Sequence, residues 1–461
     1  MQARLPLNIL HFGLVALLAA YFLVFPLYRA FFPLEIGPNE SWNAYHQDAV
    51  IAGTPLYPAP GGFTVNNYPP LSFYAIGWIA SWTGADPLFV GRVFSVLAIL
   101  GLAAMIAVIV KQLGGSWTAG GIGGAWFVAF LAVTFDSFVA QDDPQLFAQF
   151  MMSIALAWFL ARDARKLAAE PPILLMAVAG FWKHNIAAVP ATVLIWLILR
   201  DGRRALRLCL FAIGCVVLGL ALCMAAYGPH VFISNMLGPR SYEPFRMLIA
   251  LGRLQWVLPA LIIAGLWAWQ ARHTSAGRFV GLFLAVGFVV YVVQWNADAV
   301  LTNSQFDLDI ATAIGLGLAY EHAQFGAWSR GAARMLVIAI VVLRLVATGH
   351  IESALVMFDA DYRRTFSDHV AIERKEAARV AHIPGSVGCS IKQVCRVAGK
   401  AFVLDEFTVG QLIKIGVFTP ASFAEALRER GITYVSNDPR ASAETLRRDW
   451  VAKVFHGEQW D

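Results

Sequence analysis

The sequence predicts an α-helical polytopic membrane protein of about eleven transmembrane helices with a small C-terminal α/β extracytoplasmic domain. Of its 461 residues, 58% are hydrophobic, and the mean hydropathy is +0.61. Only 14% are Asp, Glu, Lys or Arg, whereas an ordinary soluble domain has about 25%. Apolar stretches of about 20 residues, long enough to cross a bilayer, recur along the chain. This composition excludes a soluble enzyme, a disordered protein and a nucleic-acid-binding protein.

Nine apolar stretches each predict one membrane helix: 7–29, 88–111, 117–135, 145–162, 205–227, 254–270, 277–295, 305–322 and 332–350. A further stretch, 172–200, is interrupted by Lys183, His184 and Asn185. We expect it to form a short helical hairpin whose polar apex is buried in protein or faces a wet cavity, because non-helical backbone is tolerated at membrane depth only there. The total is eleven helices, so the two chain ends are expected on opposite sides of the membrane.

The basic residues of the loops predict the orientation. One side has thirteen: Arg4, Lys111, Arg162, Arg165, Lys166, Arg200, Arg203, Arg204, Arg207, Arg272, Arg278, Arg330 and Arg334. The other side has five: Arg29, Lys183, Arg240, Arg246 and Arg253. Because cytoplasmic loops carry the excess of Lys and Arg, the N-terminus is expected inside. The long loop 30–87 and the C-terminal segment are expected outside.

The C-terminal segment 351–461 differs from the rest of the chain, since it holds 15 of the 35 basic residues. Residues 401–404 and 432–435 are typical of short buried strands, and 420–430 has a helical pattern. We therefore divide the chain into a membrane domain, 1–350, which includes the outer loop 30–87, and a soluble domain, 351–461. Cys389 and Cys395 can form a disulfide if this domain is extracytoplasmic.

The first outer loop is acidic and aromatic and contains no basic residue. Glu40 lies near the membrane interface, where a carboxylate can act as general base, metal ligand or acceptor for a sugar hydroxyl. Tyr45, His46 and Tyr68 are candidates for binding an acceptor or a sugar face. The alternative is that the aromatic residues form an interfacial belt and the acids are only solvated.

Asp142 and Asp143 in the second outer loop have two interpretations. Adjacent carboxylates at a membrane boundary can hold a divalent cation beside a phosphate, and with Glu40 they are the candidate ligands of a metal ion. Alternatively, Asp143 caps the helix that begins at Pro144. We expect one acid to cap this helix and the other to face a cavity.

Four cations are candidates for binding a phosphate group: Arg92, Lys183, Arg240 and Arg246. An ammonium group at membrane depth needs a partner, and phosphate suits it. The alternatives are an ion pair of Lys183 with Asp142 or Asp143 and, for the arginines, anchoring at the membrane interface.

Two further features bear on the ligand. Asn303 and Asp307 enter an otherwise apolar helix, so Asp307 is expected to point into the bundle. The glycines at 120, 121, 123 and 124 are typical of close helix packing rather than of a nucleotide-binding loop. A nucleotide donor is therefore disfavoured.

Several short motifs occur in one order along the chain: Asn39-Glu40, Ala44-Tyr45-His46, Gly53 to Tyr57, Tyr68 to Tyr74, Asp142-Asp143-Pro144-Gln145, Gly180-x-x-Lys183, Asn303-x-x-Phe306-Asp307-Leu308 and Gly399 to Asp405. In their order and topology they resemble the GT-C superfamily of polytopic glycosyltransferases. The similarity is greatest to the bacterial family-39-like branch, which includes relatives of protein O-mannosyltransferases and of the lipid A aminoarabinose transferase. One departure is that many relatives have Asp-Glu where this chain has Asn39-Glu40.

The resemblance implies a hexosyl- or pentosyltransferase on the outer face of the bacterial inner membrane. It would move a sugar from a polyprenyl-phosphate donor to a hydroxyl of a lipid, glycan or protein acceptor, with inversion at the anomeric carbon. Glu40 would orient or deprotonate this acceptor, and Asp142 and Asp143 would bind the acceptor or a metal ion. The implied donor-binding residues are Lys183, Arg92, Arg240, Arg246, Asn303 and Asp307.

Two other functions are compatible with such a bundle. A transporter or flippase of lipid-linked substrates would be expected to have an inverted repeat with matching broken helices, but the sequence shows one broken hairpin and no repeat. A non-catalytic membrane scaffold would bind a partner through its outer domain. Loss of transfer on mutation of Glu40, with folding intact, would favour the enzyme over both.

Overall fold

The computed structural model describes residues 6–324, 328–444 and 446. The predicted soluble domain, 351–461, thus extends beyond the described residues at 445 and 447–461. The helices up to residue 348 are α1 (Leu7–Arg29), α2 (Pro38–Ala52), α3 (Leu71–Thr83), α4 (Pro87–Gln112), α5 (Trp117–Thr134), α6 (Gln145–Ala164), α7 (Glu170–Trp182), α8 (Ala188–Arg200), α9 (Gly202–Tyr227), α10 (Pro229–Met236), α11 (Arg246–Arg253), α12 (Leu258–Gln270), α13 (Ser275–Gln294), α14 (Phe306–Glu321) and α15 (Arg330–Thr348).

All eleven segments predicted as membrane helices are helical, and the predicted helical polytopic fold is confirmed. Within the described residues, seven helices are long and apolar enough to cross a membrane: α1, α4, α5, α6, α9, α13 and α15. The bent pair of α11 and α12, with an angle of 87°, is an eighth candidate. The hairpin helices α7 and α8 have 13 residues each and α14 has 16. The number of eleven spans therefore stays a prediction.

Helix α14 lies at the centre of the bundle, and every residue from Phe306 to Tyr320 is buried. It packs against α4, α5, α12 and α13. Helix α5 approaches it closely at Gly123, where a Cβ atom would lie 2.5 Å from the carbonyl oxygen of Ala313. The predicted packing role of the α5 glycines is therefore confirmed. By contrast, α9 exposes Leu206, Leu210 and other apolar side chains, as expected of a helix that faces lipid.

The loop between α1 and α4 folds into two helices that cap one end of the bundle. Pro38 occupies the first turn of α2, where its missing N–H costs nothing, and Gly53 ends this helix with a φ of 66°. Helix α3 packs against α2 and α4. This arrangement places one face of α2 over the hairpin apex between α7 and α8.

The C-terminal segment contains α16 (Glu352–Phe358), α17 (Ala360–Ala381), β1 (Ser386–Cys389), α18 (Lys392–Val397), α19 (Glu406–Lys414), α20 (Pro420–Glu429) and β2 (Ile432–Val435). The strands β1 and β2 are parallel, with Ser386 opposite Ile432. The predictions of a strand at 432–435 and a helix at 420–430 are confirmed. The prediction of a strand at 401–404 is wrong, because this extended run makes only a single bridge, from Leu404 to Phe63 of the first loop.

Ion pairs hold the C-terminal segment against the bundle, and a disulfide closes a short loop within the segment. A disulfide joins Cys389 and Cys395, as the sequence allowed. Arg396 forms ion pairs with Asp48 of α2, at 2.6 Å, and with Asp86, at 3.0 Å, before α4. Helix α18, which contains Arg396, is thereby held beside α2. The division of the chain at residue 350 into two domains remains a prediction.

Candidate functional site

A cavity of about 410 Å³ lies where α2, the α7–α8 loop and the C-terminal segment meet. We call it the Lys183 cavity. Four of the predicted site residues line it: Tyr68, Lys183, Arg240 and Asn303. Other residues also line it, among them Asn39, Trp42, Lys392, Asp405 and Glu406.

Lys183 is a buried cation that has no anionic partner in the described part of the chain. It follows the last residue of α7 in an extended conformation, and its side chain is 2% exposed. Its ammonium nitrogen lies 3.3 Å from the centroid of the Tyr68 ring, a cation–π contact. Among the described residues it has no ion pair, so the alternative of a pair with Asp142 or Asp143 is not supported. A cation held this way can bind an anion, because no carboxylate neutralises it.

Tyr68 is fixed by the loop that carries it. Its backbone N–H donates to the Asn66 side chain at 3.1 Å, and its carbonyl oxygen accepts a hydrogen bond from the Tyr57 hydroxyl at 2.9 Å. The Tyr68 ring also packs edge-on against Trp42 at 4.9 Å. The ring therefore presents its face to Lys183 in one orientation.

Arg240 is the second cation of the cavity that lacks an ion pair with any described residue. Its guanidinium lies 5.4 Å from the centroid of the Phe407 ring, in the C-terminal segment. Asn303, from the 3-10 turn before α14, adds a buried amide to the same cavity. Lys183 and Arg240, neither of which forms an ion pair with a described residue, thus line the same cavity.

An apolar groove of about 600 Å³ adjoins the Lys183 cavity. Side chains of α7, α8 and α9 form its walls, including Met176, Leu194 and Val216. His184 lines both the groove and the cavity. The two spaces therefore meet beside Lys183, with the polar one at the hairpin apex and the apolar one running along the helices.

Arg92 and Glu40 do not line the Lys183 cavity. They are buried inside the protein, where they form an ion pair with each other. Arg92 donates to both Glu40 carboxylate oxygens at 2.7 Å, and its remaining N–H groups donate to backbone carbonyls of the loop 30–34. Glu40 also accepts hydrogen bonds from the backbone of Ile36, at 2.8 Å, and Asp142, at 3.0 Å. The two side chains are 1% and 0% exposed. In this geometry neither contacts a ligand.

Asp142 and Asp143 also form hydrogen bonds with other parts of the protein. Asp142 accepts a hydrogen bond from the Gln47 side chain at 3.1 Å. Burial and the nearby charge of Glu40 raise the pKa of Asp142 well above its usual range. Asp143 accepts from the backbone of Gln145 at 2.8 Å, at the start of α6. The expected capping by Asp143 is therefore observed, whereas neither acid lines the Lys183 cavity.

A divalent metal ion does not fit the three predicted acidic ligands. Each oxygen of Glu40 already accepts hydrogen bonds from Arg92 and from the backbone. Only one oxygen of Asp142 and one of Asp143 lack a hydrogen-bond partner. Within residues 6–324, 328–444 and 446, no group of three or more His, Cys, Asp or Glu side chains has a metal-binding arrangement.

Arg246 and Asp307 each have a partner within the protein. Arg246 pairs with Asp298 at 2.9 Å, and Asp298 also accepts from Gln411 and Lys414 of α19. Burial raises the pKa of Asp298, but the hydrogen bonds from Lys414 and Gln411 outweigh it and lower the pKa to about 2. Asp307 points into the bundle, as expected, and accepts from the backbone N–H of Ala188 at the start of α8, at 3.3 Å.

Tyr45 and His46 lie on the part of α2 that faces the C-terminal segment. The Tyr45 ring stacks on Phe402 at 4.8 Å, and its hydroxyl donates to the carbonyl of Lys400 at 3.2 Å. His46 packs against Trp42, and burial lowers its pKa to about 3, so it is neutral at physiological pH. These residues line a separate surface pocket rather than the Lys183 cavity.

The carboxylates that line the Lys183 cavity come from the C-terminal segment. Asp405 pairs with Lys392 at 3.3 Å and accepts hydrogen bonds from Thr408. Glu406 is exposed at the cavity and accepts a hydrogen bond from the Tyr434 hydroxyl. The sequence signal for Asp405 was the run Gly399 to Asp405, which the resemblance to the glycosyltransferases included without assigning this acid a role. Glu406 directly follows the run and had no signal of its own.

The fold is similar to that of ArnT from Cupriavidus metallidurans. The structure of ArnT bound to undecaprenyl phosphate has a TM-score of 0.56 and 15% identity, and the match covers 90% of each chain. For apo ArnT the TM-score is 0.58 and the identity 14%, over 97% of this chain and 94% of that one. At this identity the similarity shows the fold, and the predicted α-helical polytopic fold is confirmed as ArnT-like. No protein-family model and no curated protein sequence matches the chain.

Proposed function

We propose that the protein is a membrane glycosyltransferase that takes its sugar from a polyprenyl-phosphate donor. The observation that carries this proposal is the junction at His184 of a cavity with two unpaired cations and an apolar groove. A lipid with a phosphate at one end and a long hydrocarbon chain matches this junction. The fold supports the same ligand class, because its structural neighbour ArnT was solved with undecaprenyl phosphate.

In this proposal Lys183 and Arg240 bind the donor phosphate, and the polyprenyl chain lies in the apolar groove. When the bond between the anomeric carbon and the phosphate oxygen breaks, negative charge grows on the departing polyprenyl phosphate. Fixed cations that face this charge in a water-poor site stabilise the transition state. Asn303 is placed to donate a hydrogen bond to the phosphate or the sugar.

We assign the acceptor side to Glu406 rather than to Glu40. The acceptor oxygen attacks the anomeric carbon, and its proton passes to the Glu406 carboxylate. Glu406 suits this role because it is the exposed carboxylate at the cavity, whereas Asp405 is paired with Lys392. Glu40 then acts as a positioning residue that holds Arg92 and the start of α2. Asn39 stands where many relatives have an acid. Its amide side chain lines the cavity but cannot act as a base.

The proposal includes a location and a class of acceptor. The asymmetry of loop Lys and Arg residues supports a Lys183 cavity on the outer side of the bacterial inner membrane, with the N-terminus cytoplasmic. The acceptor is a hydroxyl of a lipid, a glycan or a protein at that surface. The transferred group is a hexose or a pentose.

A transfer assay tests the proposal. Purified protein in bilayers is given radiolabelled polyprenyl-phosphate sugars of several kinds and a membrane extract as acceptor source, with and without a chelator. Movement of label to an acceptor, lost in the Lys183→Gln variant, supports the proposal. A folded protein that transfers no label from any donor overturns it and favours the transporter or scaffold alternatives.

A further inference from the structure

A second cavity, of about 1470 Å³, lies at the C-terminal ends of α6 and α8. We call it the arginine cavity. The 13 residues of α8 separate it from the Lys183 cavity, a distance of about 20 Å. It therefore lies near the opposite end of the bundle, and the glycosyl transfer proposed above does not use it.

The arginine cavity has a surplus of positive charge. Its basic lining residues are Lys166, Arg200, Arg203, Arg204 and Arg207, and its acidic lining residues are Asp163 and Asp201. Five cations and two anions leave three positive charges. Arg200 and Arg204 share Asp163, each at 2.6 Å, and Arg207 pairs with Glu170 outside the lining. Lys166 and Arg203 form no ion pair with any described residue.

Lys166 has an unusual backbone conformation. It lies two residues after the end of α6 with a φ of 55°, in the left-handed region that favours glycine after a helix. The chain thus has a lysine where its backbone is strained. The side chain is exposed at the cavity beside Asp163.

Apart from Gln112 and Ser275, the remaining side chains that line the cavity are apolar. Leu160, Leu197 and Phe279 are among its lining residues. Leu197 also lines the apolar groove between α7, α8 and α9, and the neighbouring Leu199 is 72% exposed. A ligand that matches both parts has an anionic head and hydrocarbon chains.

We propose that the arginine cavity binds an anionic glycerophospholipid of the adjacent leaflet, with its phosphate between Lys166 and Arg203. The bilayer supplies this ligand at high local concentration. Each basic residue near an anionic lipid surface contributes about a fivefold gain in affinity. Removal of both charges is therefore expected to weaken binding about 30-fold.

Native mass spectrometry of the full chain, released from detergent micelles, tests the site. Phosphatidylglycerol, phosphatidylcholine and inorganic phosphate are titrated separately into wild type and the double variant Lys166→Gln/Arg203→Gln. The matched control is Arg272→Gln/Arg278→Gln, which removes two exposed arginines outside the cavity. The charge-conserving variant Lys166→Arg/Arg203→Lys shows whether the charge alone suffices.

We expect wild type, the control and the charge-conserving variant to bind phosphatidylglycerol in preference to phosphatidylcholine, and the Lys166→Gln/Arg203→Gln variant to bind it about 30-fold more weakly. Three results overturn the proposal: equal loss in the two neutralised variants, no preference for the anionic lipid, or inorganic phosphate binding as tightly as the lipid. Because the two mutated side chains are exposed and unpaired, the variant is expected to fold. An unchanged melting temperature in micelles verifies that.

Discussion

Arg92 directs all five of its N–H groups at Glu40 and at the loop 30–34, and Glu40 in turn accepts the backbone N–H of Asp142. One buried ion pair thus ties α4, α2 and the loop before α6 together. Loss of either partner leaves an isolated charge in the protein interior, which is far more costly than loss of a surface pair.

Replacement of Glu40 by Gln is therefore expected to act first on folding. The uncompensated Arg92 charge should lower the free energy of unfolding by about 3–5 kcal/mol, seen as a lower melting temperature in micelles. The double variant Glu40→Gln/Arg92→Met should be more stable than Glu40→Gln alone. If the Glu40→Gln protein instead had wild-type stability but no transfer activity, Glu40 rather than Glu406 would be assigned as the general base.

Replacement of Lys183 by Gln is expected to lower kcat/KM for transfer about 100-fold with little change in stability, because the side chain faces the donor phosphate. Arg246→Gln is the matched control, since Arg246 is paired with Asp298 and does not line the cavity. Steady-state kinetics with one donor measure both. Equal losses in the two variants would show a general charge effect instead of phosphate binding.

Replacement of Glu406 by Gln is expected to lower kcat about 100-fold while the KM for the donor is unchanged, as for loss of a general base. Glu425→Gln removes another exposed carboxylate of the C-terminal segment, on α20, and should retain full activity. A Glu406→Gln protein with wild-type kcat would assign the proton acceptor to another group.

Gly91 lies where Asp142 packs on the backbone of α4. A Cβ atom there would lie 1.9 Å from an Asp142 carboxylate oxygen. Gly91→Ala is therefore expected to destabilise the protein by about 1–3 kcal/mol. The control Gly13→Ala, on α1, meets no atom within 4 Å and should be neutral or slightly stabilising. Thermal unfolding of both variants measures the difference, and equal melting temperatures would contradict the close approach.

Glu373 on α17 predicts a pH-dependent stability. Burial, together with the charges of Asp86 and Glu35, raises its pKa to about 7, from 4.5. Between these values the unfolded chain is ionised while the folded protein keeps the proton, so stability falls as the pH rises from 4.5 through 7. Glu373→Gln should raise the melting temperature at pH 8 and leave it unchanged at pH 4.5.

Glu376, also on α17, should show the opposite dependence of stability on ionisation. The hydrogen bond from Arg379 lowers the pKa of Glu376, so its ionised form stabilises the folded protein. Glu376→Gln should therefore lower the melting temperature at pH 8. Two variants that shift in the same direction at pH 8 would contradict the assignment of these environments.

The sequence was sufficient to predict the helices of the bundle and the hairpin apex, because long apolar runs interrupted by charge have few other structures in a membrane protein. Lys183 and Arg240 were also identified from sequence. Which cations stay unpaired was not predictable. Arg92 meets Glu40 across 52 residues, and Arg246 meets Asp298 across another 52, and such pairings depend on tertiary packing.

The acids of the cavity were missed for a different reason. Residues 401–404 have the hydrophobic pattern of a strand, so the sequence suggested that they belong to the core of a separate sheet. In the structure this run lies along the first loop through the bridge of Leu404 to Phe63. That contact brings Asp405 and Glu406 to the Lys183 cavity. The hydrophobic pattern of residues 401–404 cannot predict it, because the contact joins segments far apart in the sequence.

The origin of one cavity wall has a consequence for biogenesis. Lys392, Asp405 and Glu406 follow the last bundle helix, α15, in the chain. A ribosome therefore completes all helices of the bundle before it synthesises this wall. A nascent or truncated protein that stops near residue 350 can insert into the bilayer, but it lacks the carboxylates of the cavity. Under the proposed function, termination near residue 350 should then yield an inserted but inert product.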